Sequence, residues 1–149
     1  MDLELDRLVR ERARGACEYC HMPQAIRRLR FPIDHIRSRQ HGGTSSPDNL
    51  ALCCGRCNLH RGPNVAGVDP ETERVTRLFH PRKDRWSRHF RWDGVQIVGL
   101  TPIGRTTVYV LVLNHPDDLA VREELLLQGE FPPRIQGSAF WIRSGQSSD

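Results

Sequence analysis

The chain has 149 residues and a mass of 17.1 kDa, enough for one hydrophobic core and too little for a second of comparable size. Hydrophobic residues make up 38% and charged residues 27%, a balance that excludes a disordered chain, and no apolar run approaches the ~20 residues of a membrane span. The net charge is +4, and all cations but Lys83 are arginines, whose planar forks suit phosphate. A GC-rich genome would produce the same arginine excess. The acidic opening Met1–Asp6 lacks the basic-then-apolar layout of a secretory signal, so the expected address is the cytoplasm.

In chain order, Leu5, Leu8, Val9 and Ala13 recur at near-helical spacing before Gly15, which predicts an amphipathic helix over residues 2–14. Cysteines follow as two Cys-x-x-Cys pairs, Cys17/Cys20 and Cys54/Cys57, with Cys53 left over. An odd count argues against a disulfide framework. Two tight turns that each aim two sulfurs at one centre match the four-cysteine site of structural zinc. Cys53 could replace Cys54, but only Cys54 keeps the two-residue gap to Cys57. A thiol redox role for Cys53, Cys54 and Cys57 is the competing reading, and it predicts that metal loss leaves the fold intact.

Between the pairs, residues 31–36 read as a short strand, residues 41–47 as a turn-rich loop, and Asn49–Leu52 as the return strand. A helix from Cys54 to Arg61 then stops at Gly62-Pro63. The result is a β-β-α unit with zinc at its base. Residues 64–80 read as a linker with a turn at Asp69-Pro70. From Arg74 to Trp92 the chain is dense in arginine, with Asp84 the one acid, and carries Phe79, Trp86, Phe90 and Trp92. Arg82, Arg85 and Arg88 are read as contacts to a nucleic-acid backbone, while the aromatics are expected in a small core. A hairpin is predicted over residues 89–99 with Asp93-Gly94 as a type I′ turn. Thr101-Pro102 reads as a helix start, against the β-branched run 106–113 that favours a strand; helix is preferred. A further helix spans 116–128, and residues 144–149 form a polar tail. His21, His41, His80, His89 and His115 read as surface or loop residues.

The informative string is Asp34-His35-Ile36, Gly42-Gly43-Thr44, Asn49-Leu50 and Cys54-Gly55-Arg56-Cys57-Asn58. In order and spacing it resembles the HNH endonucleases, the zinc-knuckle branch of the ββα-metal nucleases. The motif match runs from Cys17 to Arg61, and the whole length resembles compact bacterial HNH proteins. The resemblance implies an α+β fold, with a zinc-pinned core over residues 1–65, a hairpin-plus-helix extension over 66–143, and a flexible tail. It implies a metal-dependent endonuclease that hydrolyses DNA, by nicking or by double-strand cleavage. His35 is then the general base, and Asn49 orients the imidazole or its loop. Asp34 and Asn58 hold catalytic Mg²⁺ or Mn²⁺, and Arg61, where the family often has lysine, contacts phosphate. Asn58 replaces the family's last histidine, a common variant that shifts preference toward Mg²⁺, while His60 is a poor co-ligand because it points away from Asn58.

Elementary chemistry agrees. A histidine with a free pKa of about 6.5 can take a proton from water at neutral pH. A carboxylate and an amide oxygen are hard ligands for Mg²⁺. Taken singly, each residue has a plainer reading: a buried histidine, a capping aspartate, a surface amide. The alternative function is a zinc-dependent nucleic-acid-binding module of a larger complex that does not cleave. One active site cuts one strand, so a double-strand break needs two copies (a homodimer or a larger nucleoprotein complex) or two visits. No membrane partner is expected.

Overall fold

The computed structural model describes residues 1–132, so the end of the expected extension and the tail at 144–149 lie outside the described residues. The fold is α+β: five helices and three two-stranded antiparallel sheets among these residues.

Helix α1 (Leu3–Arg12) starts at Asp2, whose carboxylate accepts the Glu4 amide hydrogen at 2.8 Å. Acids in its first turn and arginines in its last complement the helix dipole. It buries Val9 fully, and Arg10 and Arg12 reach across to the carbonyls of Phe31, Pro47 and Leu50. These bonds tie α1 to both ends of the first sheet. In that sheet β1 (Ile33–His35) pairs with β2 (Leu50–Leu52), and Asp34 lies opposite Ala51. Helix α2 (Gly55–Arg61) follows, capped by the Cys54 sulfur, which accepts from the Cys57 amide. The predicted β-β-α unit is therefore present, with each strand three residues long.

The segment read as a linker is a second hairpin, β3 (Ala66–Val68) with β4 (Val75–Arg77). The turn at Asp69 was expected; the strands were not. Three-residue strands give too little alternation to show a period. The turn is held by Asp69, which is fully buried and accepts from the Glu71 amide, the Thr72 hydroxyl and Arg105. Arg105 holds the Asp69 carboxyl down to about 2.

A short helix, α3 (Trp86–His89), leads into β5 (Phe90–Asp93) and β6 (Gln96–Gly99). Asp93 pairs with Gln96, so the two loop residues are Gly94-Val95, one position later than the sequence suggested. Gly94 has φ +62° and Val95 is not in the left-handed region, the pattern of a type II′ rather than a type I′ turn. Helix α4 (Pro102–Val110) begins at Thr101, whose hydroxyl accepts from the Gly104 amide. The cap and proline at the start outweigh the β-branched run. Gly104 also lets the helix touch the preceding segment, because a Cβ there would lie 2.0 Å from the His89 carbonyl oxygen. Helix α5 (Pro116–Leu127) carries Asp117 and Asp118 in its first turn, and Asp118 pairs with Arg27 and with Arg56 of α2.

One hydrophobic cluster runs from Val9 through the knuckle cysteines to Phe79, Phe90, Trp92, Leu111, Leu125 and Phe131. The expectation that the aromatics sit in a core is met: Trp86 tilts against Phe90 and Trp92 at ring distances of 5.0 and 5.5 Å. Arg122 is fully buried within this region, donating to the carbonyls of Val95 and Leu113 and lying 5.6 Å from the Trp92 ring.

Candidate active site

Two features meet at the β1–β2–α2 unit: a cluster of thiols behind it and a cavity in front. Cys17, Cys20, Cys54 and Cys57 are all buried, and their sulfurs lie within 4.8 Å of one another. Cys20 and Cys54 are 3.7 Å apart. Tetrahedral zinc with bonds of about 2.3 Å requires sulfur–sulfur separations of about 3.8 Å, so the cluster has the dimensions of a structural zinc site. Hydrogen bonds from Cys17, Cys20 and Cys57 hold the Cys54 thiol well below its ordinary range. Cys53 is buried but stands outside the cluster.

The cavity, about 340 Å³, is lined by Asp34, His35, Ser38, Arg39 and Asn58 together with Pro32, Ile33, Gly62 and Pro63. Asp34 and His35 on β1 and Asn58 on α2 are thus brought to one concave surface. His35 is half-buried, and its Nε2 lies 3.0 Å from the Ser45 hydroxyl. Asn58 is exposed, and its amide has no hydrogen bond among the described residues. Asn49 does not touch the imidazole. Its Oδ1 accepts from the Arg37 amide, and its Nδ2 donates to the carbonyls of Arg37 and Thr44. It therefore pins the loop that follows His35.

Gly43 explains the Gly-Gly in that loop. A Cβ on it would lie 1.7 Å from the Arg37 carbonyl oxygen and 2.9 Å from Asn49 Nδ2. Gly43→Ala must push the loop away from Asn49. The expected cost is about 1–3 kcal/mol, read as a lower urea midpoint at unchanged slope, because overpacking displaces backbone here rather than a mobile side chain.

Arg61 corrects the sequence reading. It is 2% exposed, where a phosphate contact needs access to solvent. Its Nε donates to Asp34 Oδ2 at 2.9 Å, and its terminal nitrogens donate to the carbonyls of His35, Ile36 and Asn64. It is an internal brace behind the cavity. Tyr19, in the first knuckle, donates its hydroxyl to the same Asp34 oxygen at 3.3 Å. Burial pushes the Tyr19 hydroxyl well above its ordinary value, which keeps it a donor. Asp34 Oδ2 is therefore taken, while Oδ1 has no partner among the described residues.

Arg82 is corrected for a similar reason. It is ion-paired with Glu18 of the first knuckle, so it braces the fold and is not free for a backbone. Arg85 and Arg88 are exposed, beside Arg77 and Lys83 on a second cavity of about 780 Å³. Two of the histidines read as surface residues are buried. His21 stacks on Trp86 at 4.3 Å, and burial lowers its pKa to about 3; His89 bonds the Thr101 hydroxyl at 2.6 Å. Tyr19, Ser38, Arg39 and Ser45 carry no signal in the sequence that sets them apart from other loop residues.

Residues 17–64, about a third of the chain, match the model of the HNH endonuclease family. No curated protein and no solved structure gives a significant match. No helix among the described residues is long and apolar enough to cross a membrane. The family match points to a nuclease or nucleic-acid-binding role. On that match, residues 17–64 are similar to the HNH endonuclease family, and the four clustered thiols fit its zinc-knuckle branch.

Proposed function

We propose that this protein is a metal-dependent endonuclease acting on DNA, with a ββα-metal core over residues 1–65 and, among the described residues, the chain from 66 to 132 packed on it as an extension. The observation that carries the reading is the shared cavity of Asp34, His35 and Asn58 in front of a zinc-type knuckle. Hydrolysis of a phosphodiester needs a base for water and a counter-charge for the leaving oxygen. His35 takes the proton as the water oxygen bonds to phosphorus. The P–O3′ bond breaks and the leaving oxygen takes a proton from solvent water, giving a 5′-phosphate and a 3′-hydroxyl.

The donor set suits a hard cation. Asp34 Oδ1 and the Asn58 amide oxygen would hold Mg²⁺ or Mn²⁺, which supplies Lewis-acid stabilisation of the leaving oxygen. Asp34 is already neutralised by Arg61 at 2.7 Å, so two protein oxygens bind a divalent ion weakly. The substrate phosphate completes the charge, as is usual for Mg²⁺ sites with few carboxylates. Exposed Arg85 and Arg88, with Lys83, offer a positive surface along which a flanking backbone could run, while Arg77 is held by Asp84.

The Arg61–Asp34 pair also favours a second reading, a zinc-dependent module that binds nucleic acid without cutting it, since a carboxylate committed to an arginine has less to give a metal. Supercoiled plasmid separates the two. The nuclease nicks it with Mg²⁺ or Mn²⁺, stops when both are omitted with zinc retained, and leaves it supercoiled when His35→Ala is used. Salt-sensitive binding with no nicked product in any metal establishes the second reading instead.

A further inference from the structure

With Arg61 buried, the cavity has lost the cation that the sequence reading supplied for the substrate phosphate. Arg39 stands on its wall in that place. It is exposed and lines the cavity beside His35 and Asn58, and its side chain makes one hydrogen bond among the described residues, from a terminal nitrogen to the Ser45 hydroxyl at 3.1 Å. Its remaining guanidinium hydrogens have no acceptor among the described residues. Ser45 in turn holds His35 Nε2 at 3.0 Å, so one hydroxyl sets the spacing between the guanidinium and the imidazole.

We infer that Arg39 is the phosphate clamp of this cavity, gripping non-bridging oxygens of a DNA backbone phosphate opposite His35. The guanidinium supplies a charged, forked donor. The tether to Ser45 keeps the guanidinium from folding away into solvent. The clamp rests on the nuclease reading for its substrate, yet it makes a claim about binding that does not need turnover.

The test measures affinity for a short DNA duplex across a salt series with zinc retained and Mg²⁺ and Mn²⁺ omitted, alongside cleavage in Mg²⁺. A lost phosphate contact lowers the slope of log affinity against log salt by about 0.9. Arg39→Gln should show that drop, and Arg39→Lys should recover the slope while cleavage stays about 10²-fold or more below wild type, because an ammonium is no fork. Zinc content and melting curves equal to wild type confirm that each variant is folded; the single contact to Ser45 makes this the expected result for Arg39. If wild type cleaves and Arg39→Gln changes neither slope nor rate, the clamp is wrong and the nuclease reading stands. If wild type binds without cutting and the slope still falls, the clamp stands and the nuclease reading falls. A wild-type protein that does not bind DNA overturns both.

Discussion

Removing zinc from the four-cysteine site will melt the fold rather than only silence an activity. All four thiols belong to the one hydrophobic cluster, so the ion sits inside the core instead of on its rim. Structural zinc in small knuckles contributes an apparent ~10–16 kcal/mol, comparable with or above the ~5–15 kcal/mol by which whole domains are stable. The β1–β2 sheet has three residue pairs and cannot hold the 33-residue loop between the cysteine pairs without that ion. The purified protein should contain one zinc per chain. A strong chelator should abolish its near-ultraviolet circular dichroism, and Cys57→Ser should do the same without a chelator. Protons compete with zinc for thiolate, so the midpoint in chelator should fall as the pH falls. A metal-free protein that keeps its cooperative melt would refute this and revive a redox role for the thiols.

The parts of the molecule that were legible in the sequence are those whose chemistry is local. Paired cysteines announce a metal whatever the fold does around them. Thr101 announces a helix start because a cap acts within three residues. The β3–β4 hairpin was hidden because its strands are held by a turn aspartate and by packing on α4, neither of which leaves a period. Arg61 and Arg82 show the deeper limit. An arginine read from sequence is a charge, and charge alone suggests a surface and a phosphate. Only the three-dimensional arrangement reveals that each is met by a carboxylate brought from elsewhere, Asp34 for one and Glu18 for the other. His21 and His89 were misplaced for the same reason: their cover comes from Trp86 and from Phe79, which lie far along the chain or on another element. Arg39 and Ser45 escaped notice because a hydroxyl bridging two side chains has no spacing rule.

Arg61→Met should therefore behave as a core mutation, not as the loss of a surface contact. The substitution keeps much of the side chain's bulk but leaves Asp34, 7% exposed, with Tyr19 as its remaining donor. It also strips donors from the carbonyls of His35, Ile36 and Asn64. Breaking a buried pair from one side costs about 3–5 kcal/mol, because the stranded charge must stay in a low-dielectric site. A solvent-exposed phosphate contact would cost less than about 0.5 kcal/mol. Urea titrations at fixed excess zinc distinguish the two. The paired variant Arg61→Met/Asp34→Asn supplies the second reading of the same cycle. Removing both charges should recover part of the lost stability, since no unpaired carboxylate remains. Cleavage should not return with it, because the charged carboxylate proposed to hold the divalent ion is replaced by a neutral amide. A double variant that regains stability and activity together would mean that the charge of Asp34 serves the fold alone, and the charged donor of the site would have to be sought elsewhere on the cavity wall.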